Sequence, residues 1–137
     1  MFVLDCSVTM SWFFEEESEN SAYADKVLER LKVEDALVPR LWHLEVLNVL
    51  LASERRRRVT PTDSDRFLEY LSLLPITTDP MPVTIQDREV LGLARKYQLS
   101  SYDTAYLALA VGEELKIATQ DRGLAAAAKA LGVWLDC

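Results

Sequence analysis

An α/β sandwich with a mainly parallel central sheet is the fold class that this 137-residue sequence predicts. Three observations point to it. Short apolar runs of strand length alternate with longer stretches of helical periodicity, the order that builds a parallel sheet covered by helices. Only four glycines and five prolines occur, too few for a turn-rich all-β fold. Half of the residues are hydrophobic and 27% are charged, which supports a core and disfavours a disordered chain. With no linker, repeat or low-complexity tract, residues 1–137 read as one domain.

The elements follow from the amino terminus. MFVLD (1–5) is a buried strand that ends on an acid, and helices are expected over 7–14 and 18–33. In the second of these, Ala22, Val27, Leu28 and Leu31 form the apolar stripe. ALVP (36–39) is a short strand stopped by proline, and a long helix covers 41–56. TPTD (60–63) offers a threonine cap, a proline in the first turn and an early acid, so a helix starts there and runs to about Leu74. PITTD (75–79) is extended, and helices are expected over 83–97 and 102–113. LKIATQD (115–121) is a strand entering a turn, DRGLAAAAKALG (121–132) a helix, and VWL (133–135) a last strand.

In such a fold the carboxyl ends of the strands and the starts of the following helices share one sheet edge, where open α/β sheets bind their ligands. Asp5 ends the first strand, Asp121 follows LKIAT, Asp103 falls in the first turn of a helix, and Glu45 in the early turns of another. Each has an ordinary explanation. Asp121 can cap a helix, Asp103 can complement a helix dipole, and Asp5 can sit in a turn. Glu45 resists one, because LWHLEVLNVLL is apolar around it and has no lysine or arginine within a turn on either side. Four carboxylates together repel one another, and a divalent cation removes that penalty. Oxygen donors without histidine or cysteine favour hard ions, Mg²⁺ or Mn²⁺, one or two of them. Ser7, Asn48 and Thr119 can hydrogen-bond into the same cleft, although local backbone capping explains them equally well. Metals held by carboxylates suit phosphate-ester hydrolysis by an activated water.

The remaining residues bound the chemistry. The two cysteines, Cys6 and Cys137, stand at opposite ends without zinc spacing, Cys6 as a small buried residue and Cys137 as a bystander. His43, the single histidine, points about 200° away from Glu45 on a helix, so the two do not face one ligand. A net charge of −7 argues against nucleic acid as a partner, but two bound divalent ions would cancel most of it. The arginines Arg55, Arg56, Arg57 and Arg58 close a helix, either as a solvated terminus or as a patch for nucleic acid or an acidic partner. No membrane span or signal peptide is visible, and a cytoplasmic location is expected.

MFVLDCSV, PRLWHLEVLNVLL, LSSYDTAYLALA and IATQDRGLAAAAKALGV resemble, in order and over nearly the whole chain, the PIN-domain ribonucleases, and more narrowly the VapC-type toxins of toxin–antitoxin pairs. The resemblance implies a three-layer α/β/α sandwich and a Mg²⁺- or Mn²⁺-dependent endoribonuclease. Asp5, Glu45, Asp103 and Asp121 match the family's acidic quartet as catalytic and metal-binding residues. Thr119 matches a hydroxyl residue near the last acid and Asn48 a polar residue after the glutamate, while Cys6 departs from the usual threonine. Homodimerisation and inhibition by a small antitoxin are further expectations. Two other readings remain open at this point: a structure-specific DNA nuclease of the same fold, and a non-catalytic partner-binding domain whose acids are only caps.

Overall fold

The computed structural model describes residues 1–14, 18–80 and 87–137. The elements are β1 (Phe2–Leu4), α1 (Cys6–Phe13), α2 (Glu19–Arg30), β2 (Ala36–Val38), α3 (Leu41–Arg55), α4 (Pro61–Ser72), β3 (Ile76–Thr78), α5 (Asp87–Tyr97), α6 (Ser101–Gly112), β4 (Ile117–Ala118) and α7 (Arg122–Ala130). All strand pairs are parallel and the sheet order is β3-β2-β1-β4. Helices cover both faces, giving the three-layer α/β/α sandwich of a PIN-like fold. The buried core is contributed by β1, β2, β4 and the inner faces of α1, α2, α3, α4, α6 and α7.

Sequence chemistry explains the elements. Each residue of β1 and β2 is buried, as strands covered on both faces require. At α4, Thr60 accepts from the Asp63 N–H while Asp63 accepts from the Thr60 N–H, with Pro61 in the first turn, as the TPTD motif predicts. Apolar α6 buries Thr104 through Ala110 without a break, so it is a central helix.

Three expectations need adjustment. The helix at 18–33 ends at Arg30, and its buried residues are Ala24, Val27 and Leu31 rather than a stripe starting at Ala22, which is exposed. VWL is no strand: it makes one parallel bridge, Trp134 to Ile117, with the Ile117 N–H on the Val133 carbonyl. LKIATQD contributes only two strand residues. Residues 83–86 of the helix expected over 83–97, and Glu15, Glu16 and Glu17, lie outside the described residues. Among the described residues no helix is long and apolar enough to cross a membrane.

The topology locates a cleft. From β1 the chain steps outward to β2 and β3, then returns to place β4 on the opposite side of β1. The crevice at that reversal, beyond the carboxyl ends of β1 and β4, is where such sheets bind ligands. The register Leu4 to Ala118 sets Asp5 beside Thr119, and the Asp5 N–H bonds the Ala118 carbonyl at 3.0 Å.

Candidate active site

Asp5 leaves β1 as the residue before α1, yet its side chain makes no capping bond to that helix. Its Oδ2 instead accepts two hydroxyls, from Ser7 at 2.6 Å and Thr119 at 2.8 Å. Both hydroxyls are aimed by backbone: the Gln120 N–H donates to Ser7 Oγ at 3.0 Å and the Asp121 N–H to Thr119 Oγ1 at 3.1 Å. Each oxygen that accepts from an amide must turn its own proton elsewhere, and here that is toward Asp5. The carboxyl is 4% exposed, and burial pushes its pKa up to about 6 against the pull of the two hydroxyls, with Asp103 and Glu45 adding to the rise.

Glu45 projects from the first half of α3 and is half-buried. Its partner is Tyr106 on α6, whose phenol donates to Oε1 at 2.6 Å. Burial raises the Glu45 pKa, the tyrosine opposes this, and Asp103 adds to the rise. The buried Tyr106 phenol is itself held far above its ordinary range by burial and by the carboxylate it serves. Sequence reasoning passed over Tyr106. The signal was its spacing: three residues after Asp103, it shares that acid's face of α6.

Asp103 stands in the first turn of α6, but the cap there is Ser100, whose hydroxyl accepts the Asp103 N–H at 3.1 Å. The Asp103 carboxyl therefore does not cap α6, and its pKa is raised by burial and then by Asp121. Asp121 does cap: its Oδ2 accepts the Leu124 N–H at 2.9 Å. The acids act on one another in turn: Asp103 and Glu45 raise Asp5, Asp103 raises Glu45, and Asp121 raises Asp103, in each case after burial as the larger cause.

The donor set fits a hard divalent cation, since it is all oxygen and burial, helped by neighbouring acids, raises three carboxyl pKa values that a cation would lower. In this geometry, among the described residues, no three acid, histidine or cysteine side chains are gathered as a ready ion cage.

Of the other candidates, Ser7 and Thr119 both contact Asp5. Asn48 is exposed, and no hydrogen bond among the described residues joins it to an acid. The four arginines are exposed at the end of α3, with Arg58 lining a cleft that reaches Ser7. His43 is turned outward, its Nε2 2.7 Å from the Thr78 hydroxyl. Cys6 is buried, and burial pushes its thiol up to about 12, the setting of a packed structural cysteine.

A family model described as PIN domain matches residues 2–130. Among solved structures, the crystal structure of PAE2754 from Pyrobaculum aerophilum is 26% identical with a TM-score of 0.70, covering 98% of this chain and 87% of that one. FitAcB from Neisseria gonorrhoeae is 21% identical with a TM-score of 0.65, covering 94% of each chain. A toxin–antitoxin complex from Klebsiella pneumoniae is 17% identical with a TM-score of 0.62, covering 88% of this chain and 87% of that one. The latter two share the fold. No curated protein matches the chain.

Proposed function

The chain belongs to the PIN-domain family, and from that premise we propose that it is a Mg²⁺- or Mn²⁺-dependent endoribonuclease, the toxin of a toxin–antitoxin pair. One observation supports the activity above all. Asp5, Glu45, Asp103 and Asp121 come from four separate segments, and the carboxyls of Asp5, Glu45 and Asp103 are raised by burial first and then by other acids of the set, so positive charge beside them would be favourable. The four would hold one or two ions through carboxylate oxygens. When bound, such an ion supplies a lowered water pKa and stabilises the charge on the phosphoryl oxygens.

The chain's own residues do the rest. Ser7 and Thr119 fix Oδ2 of Asp5, and Tyr106 fixes Oε1 of Glu45, so that in each carboxylate a hydrogen bond sets the direction of the remaining oxygen. The cap to α7 holds Asp121 at the rim, where an RNA backbone arrives. Purified protein is expected to cut RNA with Mg²⁺ or Mn²⁺ and not with chelator present. Asp5→Asn and Asp103→Asn should each lower the rate at least a hundredfold, at the strong end of metal-ligand effects. Cleavage by both variants at the wild-type rate would overturn the proposal, and parallel assays on flap DNA test the choice of RNA.

The Klebsiella structure is of a toxin–antitoxin complex, and this likeness motivates the antitoxin. An apolar groove of about 280 Å³ between α3 and α4, lined by Trp42, Val46, Leu47, Leu68 and Leu71, and the exposed Leu44 and Leu73 nearby supply surface for an antitoxin or a second copy of the chain. The location proposed is the cytoplasm.

A further inference from the structure

A second cleft, of about 300 Å³, lies among α1, the start of α2 and the end of α3. One wall is Ser7, the residue whose hydroxyl holds Asp5, so the cleft begins where the acid site ends. Its far wall is Arg58, brought there by the backbone. Arg57 adopts the left-handed conformation (φ 57°), the Arg58 N–H reaches back to the Ser53 carbonyl at 2.9 Å, and the chain reverses after α3. Arg58 is exposed and forms no ion pair among the described residues.

The polar groups of this cleft divide into engaged and available. Ser11 donates to Gln120 Oε1 at 2.8 Å, and Ser18 and Ser21 satisfy one another in the capping box of α2. Among the described residues, the groups left to meet a ligand are the half-buried Phe14 ring, which packs edge-to-face on Phe13, the exposed Asn20 amide and the Arg58 guanidinium. An aromatic face, an amide and a guanidinium are the three groups that recognise an unpaired nucleotide: stacking for the base, donor and acceptor for its edge, positive charge for the phosphate. The volume sits at the lower end of small-ligand pockets. On the other side of Phe14 lies a groove of about 490 Å³ lined by Phe13, Phe67, Arg66 and Asp63, where the Asp63 carboxylate offsets the Arg66 guanidinium, so Arg58 is the cation on which the cleft depends.

We propose that this cleft binds the nucleotide adjoining the scissile bond of single-stranded RNA, with its base on Phe14, its edge toward Asn20 and its phosphate on Arg58. The inference rests on the nuclease reading and adds the direction in which the strand leaves the acids. It also supplies local positive charge for the adjacent phosphate in a chain whose net charge is −7.

The test measures binding and cleavage separately on the full chain. Binding of a labelled single-stranded oligoribonucleotide is followed by anisotropy with chelator present, over a range of salt. Arg58→Ala should weaken binding about tenfold, the loss of one charge-assisted contact. It should also reduce the slope of log K against log salt by about 0.7, one phosphate on a single strand. Arg58→Lys should keep the slope. Phe14→Leu should weaken binding about fivefold or more with the slope unchanged. Arg56→Ala, in the same run but not on the cleft, should change binding less than about twofold. Thermal melts show whether each variant is folded. With Mg²⁺, Arg58→Ala should raise KM and leave kcat nearly unchanged. Arg58-dependent binding without cleavage by the wild type would uphold the subsite and sink the nuclease reading. Cleavage unaffected by Arg58→Ala, with the salt slope intact, would overturn the subsite alone and turn attention to an acidic protein partner. Neither binding nor cleavage would overturn both.

Discussion

Glu45 sits among apolar neighbours on α3, and its partner is a phenol 61 residues further along the chain. The pairing separates two uses of a buried tyrosine. The Tyr106 ring packs in the core, while its hydroxyl directs the carboxylate. Tyr106→Phe keeps the ring and removes one donor, so unfolding free energy should fall by about 1 kcal/mol. The Mg²⁺ concentration that half-activates RNA cleavage should rise about tenfold, as it does when a ligand loses its orienting bond. An unchanged Mg²⁺ dependence would reduce Tyr106 to a packing residue. The lone acid on an apolar helix was readable in the sequence as a buried charge needing a partner. The partner was not, because nothing local to Glu45 announces α6.

Helix ends show a second kind of hidden information. α3, α5, α6 and α7 finish in the same way: a left-handed residue, then an N–H that returns five residues, as Leu115 to Ala110 and Val133 to Ala128. Only α7 places glycine there, Gly132, whereas the others use Arg57, Gln98 and Glu114. A side chain in that conformation costs about 1–2 kcal/mol, part of which glycine returns as extra freedom in the unfolded chain. Glu114→Gly should therefore stabilise the protein by roughly 0.5–1 kcal/mol in urea denaturation. A loss of stability would mean that the Glu114 side chain contributes more than its backbone strain removes. N-terminal signals such as TPTD were legible because a side chain makes the bond. These C-terminal turns were not, since backbone atoms alone close them. Arg58 reaches its cleft through one of them.

At the scale of the molecule, Asp5, Glu45 and Asp103 oppose folding when charged, because burial and then neighbouring acids disfavour their ionised forms. The folded pKa of Asp5, about 6, lies above its ordinary 3.8, and Glu45 and Asp103 are shifted the same way. Between these limits the folded state holds more protons than the unfolded one, so stability must rise as pH falls through 6 toward 4. For Asp5 alone the gain from about pH 8 to about pH 5 is roughly 1 kcal/mol. Glu34, lowered by the amino terminus and Arg30, works in the opposite sense and loses its contribution only in stronger acid. Chelated protein should accordingly melt higher near pH 5 than near pH 8. Mg²⁺ added near pH 8 should raise the melting temperature and flatten that dependence. If the acids served only as caps, magnesium would shift nothing.

The sequence by itself determined the order of strands and helices, the family, and which four acids to bring forward, because apolar periodicity, helix-start chemistry and strand-end residues are local. It placed a strand at 133–135 where the fold makes one bridge, since pairing depends on what Ile117 offers across the sheet. Tertiary structure alone decided that Ser7 and Thr119 share one oxygen of Asp5, that Tyr106 holds Glu45, that Asn48 faces outward and that Arg58 turns toward Ser7. Contacts between segments far apart in the chain are set by how the layers pack, and no short stretch of residues encodes the distance between two layers.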